Sequence, residues 1–271
     1  MSTLAATVDG PPDAPSLVLG PSLGTGTGLF DVQVASLAAK YRIIRFDLPG
    51  HGRSPTWEGP FLLEDLATAV LRMLDQLGVD RFHYAGVSLG GAIGQQLAVS
   101  SARLDSLTLM ATAGRFPAPE SWPARAELVL TSGTEALVPS RYGTWFTQEY
   151  ADANPAEAER LIAMLRSTSP VGYAACCEAI AAFDLRDRLG TITVPTLVIA
   201  GQDDPATPPD TVRALADAIP PASFVAAAGA HLINIEAASA VTRLLDRQLA
   251  RADSLTDQRR TSPALTPRHH H

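Results

Sequence analysis

His83-Tyr84-Ala85-Gly86-Val87-Ser88-Leu89-Gly90-Gly91-Ala92-Ile93-Gly94 is the stretch on which the fold turns. It reads as an apolar strand as far as Val87 and as a helix from Leu89 onward, with a serine at the corner. A serine on so sharp a strand-to-helix turn holds a strained backbone. The residues two before and two after it are pressed together, so only very small side chains fit there, and Gly86 and Gly90 meet that demand. As a bare pentapeptide, Gly-x-Ser-x-Gly also arises by chance. In a plain glycine-rich turn the serine would merely cap a helix. The strand before it and the helix after it are what make Ser88 a candidate nucleophile.

Working outward, residues 4–8 and 16–19 are short apolar runs around the turn Gly10-Pro11-Pro12-Asp13 and predict a hairpin. Residues 42–46, 83–87, 107–111, 196–200 and 224–227 predict further strands. Between them lie helical patterns. The clearest covers 62–77, where Leu63, Leu66, Val70, Met73, Leu74 and Leu77 form one stripe that Gly78 terminates. Others are expected at 90–99, 209–219 and 237–249. Alternation of this kind predicts parallel strands in one sheet.

Residues 117–188 break the alternation with helices expected near 122–130, 135–146, 155–167 and 172–182. Such an insert is expected to cap the C-terminal edge of the sheet, where α/β folds bind ligands. The expected fold class is therefore α/β, an α/β-hydrolase fold. A mostly parallel central sheet carries helices on both faces, with a helical cap inserted before the late strands. Residues 1–116 and 189–250 form the core and 117–188 the cap. Residues 251–271 are read as a flexible tail or linker ending in a tag remnant, His269 to His271.

Composition limits the chemistry. The chain of 271 residues carries 21 Lys+Arg against 28 Asp+Glu, a net charge of -7, which disfavours nucleic acid as a partner. No apolar run approaches transmembrane length and the N-terminus does not read as a signal peptide, so no membrane partner is expected. The two cysteines, adjacent at 176 and 177, build no disulfide framework. They read as small buried cap residues in a reducing, cytoplasmic setting.

A serine nucleophile on this fold is followed by an acid and then a histidine. The strand Leu197-Val198-Ile199-Ala200-Gly201 runs into Gln202-Asp203-Asp204-Pro205. A Gly-x-x-Asp-x-x-x-Pro loop from Gly201 to Pro208 favours Asp204 over Asp203. His231 follows the last short strand and is the candidate base. His83 opens a strand, and His51, in Asp47-Leu48-Pro49-Gly50-His51-Gly52-Arg53-Ser54, precedes the serine. Acyl transfer also needs two backbone N–H groups aimed at the developing oxyanion. Leu89 supplies one by position, and Leu23, in Gly20-Pro21-Ser22-Leu23-Gly24-Thr25-Gly26, supplies the second. No metal-ligand spacing or dinucleotide fingerprint is present, so no metal and no cofactor are expected.

Gly86 to Gln95, Gly172-Tyr-Ala-Ala-Cys-Cys-Glu-Ala-Ile180, Phe183-Asp-Leu-Arg186 and the run from Pro195 to Pro209 resemble the 3-oxoadipate enol-lactonases. The resemblance spans most of residues 4–249, cap included. It implies a small-molecule lactone substrate, opened by hydrolysis to 3-oxoadipate on the β-ketoadipate route of aromatic catabolism. The lactone carries a carboxylate, which calls for a cation in the pocket. Where the family tends to show Arg-Trp-Phe, this chain has Thr144-Trp145-Phe146. Arg141, three residues earlier, is expected to share a helical face with Thr144 and to take the carboxylate, while Trp145 lines the pocket. The tail resembles the linker by which some members join a decarboxylase domain, which implies such a fusion or association. A general carboxylesterase or lactonase, and a triad-bearing ligand receptor, are the competing readings.

Overall fold

Leu17-Val18-Leu19, Ile43-Ile44 and all of Phe82 to Val87 are buried. Unbroken apolar runs of this kind need a sheet covered on each face, as helix-flanked parallel strands are. The computed structural model, which describes residues 3–261, shows that arrangement. Seven strands, β1 (Ala6–Asp9), β2 (Ser16–Gly20), β3 (Arg42–Phe46), β4 (Phe82–Val87), β5 (Leu104–Met110), β6 (Thr196–Gly201) and β7 (Ala222–Ala227), form one sheet in the order β1-β3-β2-β4-β5-β6-β7. Only β1 runs antiparallel.

The expected hairpin does not form. β1 pairs with β3, and β2 lies between β3 and β4. The reason is burial. Leu17, Val18 and Leu19 are fully buried and belong at the sheet centre, whereas β1 is partly exposed, with Val8 42% accessible, and suits an edge.

Of the core helices, α1 (Asp31–Leu37) precedes β3, α2 (Leu63–Gln76) precedes β4, and α3 (Leu89–Ser100) leaves the end of β4 and packs on β4 and β5. The stripe predicted for α2 is buried at Leu63, Leu66, Val70, Met73 and Leu74, and Gly78 follows at φ +66°.

The insert between β5 and β6 contains α4 (Ser121–Ser132), α5 (Gln148–Ala153), α6 (Pro155–Ser167) and α7 (Pro170–Ala182), with α4 against α7. The single helix expected over 135–146 is replaced by a 3-10 segment, Thr134–Arg141. Pro139 lies inside that segment, Tyr142 is extended, and Gly143 takes φ +79°. A proline without an N–H and a left-handed glycine together stop an α-helix from running through. Arg141 and Thr144 therefore do not share a helical face. They are joined through a turn, in which the Thr144 amide donates to the Arg141 carbonyl at 3.1 Å.

After the cap come α8 (Pro209–Asp217), α9 (Ile233–Glu236) and α10 (Ala238–Thr261). The stretch expected as a flexible tail from residue 251 thus opens as the last turns of α10, and residues 262–271 lie outside the described part. Ala252 is buried, and Asp253 accepts from Tyr41 Oη at 3.2 Å and bonds to His83 Nε2 at 3.0 Å. His83 Nδ1 meets Ser106 Oγ at 2.9 Å. His83, buried at the opposite end of β4 from Ser88, thus helps to hold α10 in place. Among the described residues no helix is long and apolar enough to cross a membrane.

Candidate active site

The C-terminal ends of β2, β4, β6 and β7 deliver the four loops that carry Leu23, Ser88 with Leu89, Asp204 and His231, while Arg141 and Trp145 come from the insert between β5 and β6. Register brings Gly20 beside Gly86, Val87 beside Met110, and Gly201 beside Ala227. Ser88 stands between β4 and α3 at φ 57°, a left-handed conformation that a non-glycine residue adopts at a cost of about 1–3 kcal/mol. Its backbone is pinned from β5: the Ser88 amide donates to Met110 O at 2.8 Å, and Thr112 Oγ1 donates to Ser88 O at 2.8 Å. A Cβ on Gly86 would lie 2.3 Å from Gly90 O, and one on Gly90 would lie 2.1 Å from Gly20 O. The second contact shows that the elbow glycine also lets the loop after β2 press against the start of α3.

That contact brings the Leu23 and Leu89 segments together. Leu23 lines a cavity of about 270 Å³ shared with Ser88, His231 and Trp145. Neither the Leu23 nor the Leu89 amide donates to an acceptor among the described residues, so both are free for a ligand oxygen.

Asp204 is 2% accessible, and its Oδ2 lies 2.8 Å from His231 Nδ1. Thr207 Oγ1 donates to the same oxygen at 2.6 Å, and the Ala206 and Thr207 amides donate to Oδ1 at 2.8 and 3.1 Å. Burial alone would raise this carboxyl's pKa. The charge and hydrogen bond of His231, with those from Thr207, outweigh it and hold the group below its ordinary value. Asp203 faces elsewhere and exchanges hydrogen bonds with Gly229, its Oδ2 accepting from the Gly229 amide at 3.2 Å. Ser88 and His231 face one cavity, and no hydrogen bond joins the Ser88 hydroxyl to the ring.

The helical insert is hydrogen-bonded directly to the histidine loop. The His231 and Leu232 amides donate to the Thr144 and Trp145 carbonyls at 3.1 and 2.8 Å. Glu236, which the sequence reading did not single out, accepts from the Ala230 amide at 2.9 Å and the Thr147 amide at 3.1 Å, tying the same two segments together.

Arg141 reaches the cavity although its predicted helix does not form. It is 6% accessible, its guanidinium lies 5.6 Å over the Trp145 ring, and Nη2 donates to Ser140 Oγ at 2.9 Å. Its buried Nε has no hydrogen-bond partner among the described residues. Arg125, which the sequence reading missed, lines the same cavity with its guanidinium 4.5 Å over Trp122. Its only advance signal is the Trp122-to-Arg125 step on one face of α4. No carboxylate lies within ion-pair distance of either arginine among the described residues. Burial and, after it, repulsion from Arg125 lower the pKa of Arg141, with Tyr173 and Cys177 acting the other way.

His51 is fully buried. Its Nδ1 meets the Pro49 carbonyl at 2.9 Å, and its Nε2 accepts from the Gly24 amide at 3.1 Å. Burial lowers its pKa from 6.5 to about 4, against the opposing pull of Pro49 and Asp47. Between those two values an unfolded chain takes up a proton that the folded one refuses, so stability falls as pH falls through the window. The loss approaches about 1.4 kcal/mol per pH unit. Urea midpoints from pH 7 to pH 4 should therefore drop less steeply in His51→Gln than in wild type. Parallel curves would show that the ring does not titrate as its burial implies.

A parallel sheet with a strained serine after a central strand, a late acid and a later histidine defines an α/β-hydrolase. A family model of the alpha/beta hydrolase fold matches residues 15–238. The chain is 36% identical to 3-oxoadipate enol-lactonase 1 of Acinetobacter baylyi over 86% of its own length and 88% of that relative's. It is 34% identical to a putative carbamate hydrolase RutD of Azorhizobium caulinodans, over 76% of this chain and 80% of that one. Among solved structures, the enol-lactonase of Burkholderia xenovorans LB400 superposes with a TM-score of 0.89 at 38% identity, over 91% of this chain and 96% of that one. The chain belongs to the 3-oxoadipate enol-lactonase family of α/β-hydrolases and is a carboxylic ester hydrolase.

Proposed function

We propose that the protein hydrolyses 3-oxoadipate enol-lactone to 3-oxoadipate through an acyl-enzyme on Ser88. The observation that carries this choice is the pair of guanidiniums, Arg125 and Arg141, that face the Ser88 cavity with no carboxylate partner among the described residues. A buried, unpaired cation is costly. A substrate that brings a carboxylate removes that cost on binding, and a neutral ester does not. The relatives named as enol-lactonases support the same substrate.

In this mechanism His231 Nε2 takes the Ser88 proton as Oγ attacks the lactone carbonyl, a contact completed when substrate is bound. Asp204 accepts from Nδ1–H and stabilises the imidazolium. The Leu23 and Leu89 amides receive the carbonyl oxygen as it becomes negative. The carbonyl–oxygen ring bond breaks, the enol oxygen takes the proton from His231, and the enol becomes a ketone that no longer reverses the step. Water, activated by the same ring, then releases 3-oxoadipate. Trp145 walls the cavity, and Arg141 with Arg125 holds the remote carboxylate. Residues 117–188 act as the cap over a core of 1–116 and 189–250.

Loss of lactone absorbance, set beside hydrolysis of p-nitrophenyl acetate, tests the assignment. The enol-lactone should be favoured in kcat/KM. Arg141→Ala should raise KM for the lactone by about 10- to 100-fold, as loss of a charge-assisted hydrogen bond does, and change KM for the acetate by less than about twofold. Equal effects on the two substrates would refute the carboxylate role. A preference for the neutral ester would support the general esterase reading instead.

A further inference from the structure

We propose that His51 is a positioning residue for the oxyanion site, fixing Gly24 so that the adjoining Leu23 amide points at the substrate carbonyl. This rests on the reading of Leu23 and Leu89 as the oxyanion donors. A carbonyl can only accept, so the 2.9 Å contact of Nδ1 with Pro49 O places the ring proton on Nδ1. Nε2 is left as an acceptor, and the Gly24 N–H is what it accepts.

Gly24 has little else to hold it and much to crowd it. Its φ is +81°, and a Cβ there would lie 2.9 Å from Leu165 Cδ1, 3.2 Å from Tyr173 Cε2 and 3.3 Å from Trp145 Cζ2. The cap thus presses on this loop from outside while the His51 ring holds it from within. The loop carrying His51 is itself fastened to the cap. Gly50 O accepts from the Ser169 amide at 2.8 Å, and the ring stacks on Tyr173 with centroids 6.4 Å apart. A peptide unit is rigid, so a shift of the Gly24 nitrogen turns the chain at Leu23. Oxyanion donors act only within a few tenths of an ångström of their place. His51 is not among the residues that line the cavity.

Two variants separate positioning from packing. In His51→Asn the side-chain amide can still donate to Pro49 but does not reach Gly24, whereas the oxygen of Gln stands near the lost Nε2. Rates on p-nitrophenyl acetate, which needs no carboxylate site, are measured per serine titrated with a fluorophosphonate. His51→Asn should lower kcat on the order of 30-fold, a part of the full loss of one oxyanion donor, with KM changed by less than about threefold. His51→Gln should stay within about threefold of wild type, and the affinity for phenylboronic acid should follow kcat in both. A role confined to packing predicts fewer titratable serines and a lower Tm with full kcat per titrated site. That result, or equal losses in the two variants, overturns the proposal. Ser88→Ala distinguishes the failures: if it is inactive while His51→Asn is fully active, only the role of His51 falls.

Discussion

Replacing Ser88 by alanine is expected to lower kcat on the order of 100,000-fold for every ester the protein hydrolyses, with substrate affinity nearly kept. The change removes one hydroxyl. It leaves a Cβ on the same left-handed backbone, so the strain is not relieved, and the bonds to Met110 and from Thr112 use main-chain atoms only. The hydroxyl has no hydrogen bond among the described residues, so no buried partner there is orphaned by its loss. Tm should therefore shift by less than about 2 °C, well inside the range of neutral substitutions. What remains is the proposed action of the Leu23 and Leu89 amides and the binding cavity, which should still raise hydrolysis above its rate in water. The measurement is steady-state loss of lactone absorbance against enzyme of matched Tm. Activity above about 1% of wild type would remove Ser88 from the nucleophile's role and leave the cavity as a binding pocket.

Asp204→Asn should cost about 10,000-fold in kcat. The acid accepts on both oxygens, from Ala206 and Thr207 amides on Oδ1 and from Thr207 Oγ1 and His231 on Oδ2. Asparagine would keep its oxygen on the two amides and turn its NH2 toward the ring. His231 Nδ1 would then have to accept, the ring proton would move to Nε2, and the atom that must take the Ser88 proton could not. The neighbouring substitution is the control. Asp203 holds the Gly229 amide, a bond that the oxygen of asparagine preserves, so Asp203→Asn should stay within about threefold of wild type. Similar losses in both variants would mean that the two aspartates are not separated in role as their contacts separate them.

How far the site can be read from the chain depends on how local each constraint is. Gly86, Ser88 and Gly90 declare themselves because the clash that forbids larger side chains is between residues two apart. Asp204 and His231 follow from chain order on this fold, and the 2.8 Å contact between them joins loops whose order was already legible. Arg141 was found for a reason that did not hold: the helix expected to align it with Thr144 stops at Pro139 and Gly143, yet the turn that replaces it still brings the arginine into the cavity. Arg125, Glu236 and the hydrogen bond from Gly24 to His51 were not legible, since each joins segments with no shared period or motif.

From the order of residues alone came the strand-to-helix corner, the candidate serine, acid and histidine, and the presence of a helical insert, because each is set by sterics, chain order or periodicity. The tertiary structure decided the rest. It placed β1 at the edge beside β3, carried α10 past Leu249 onto His83, put two arginines with no carboxylate partner among the described residues into one cavity, and set a buried histidine under the loop that carries Leu23. Those outcomes depend on which distant surfaces are buried against one another, and only the packed sheet and cap determine that.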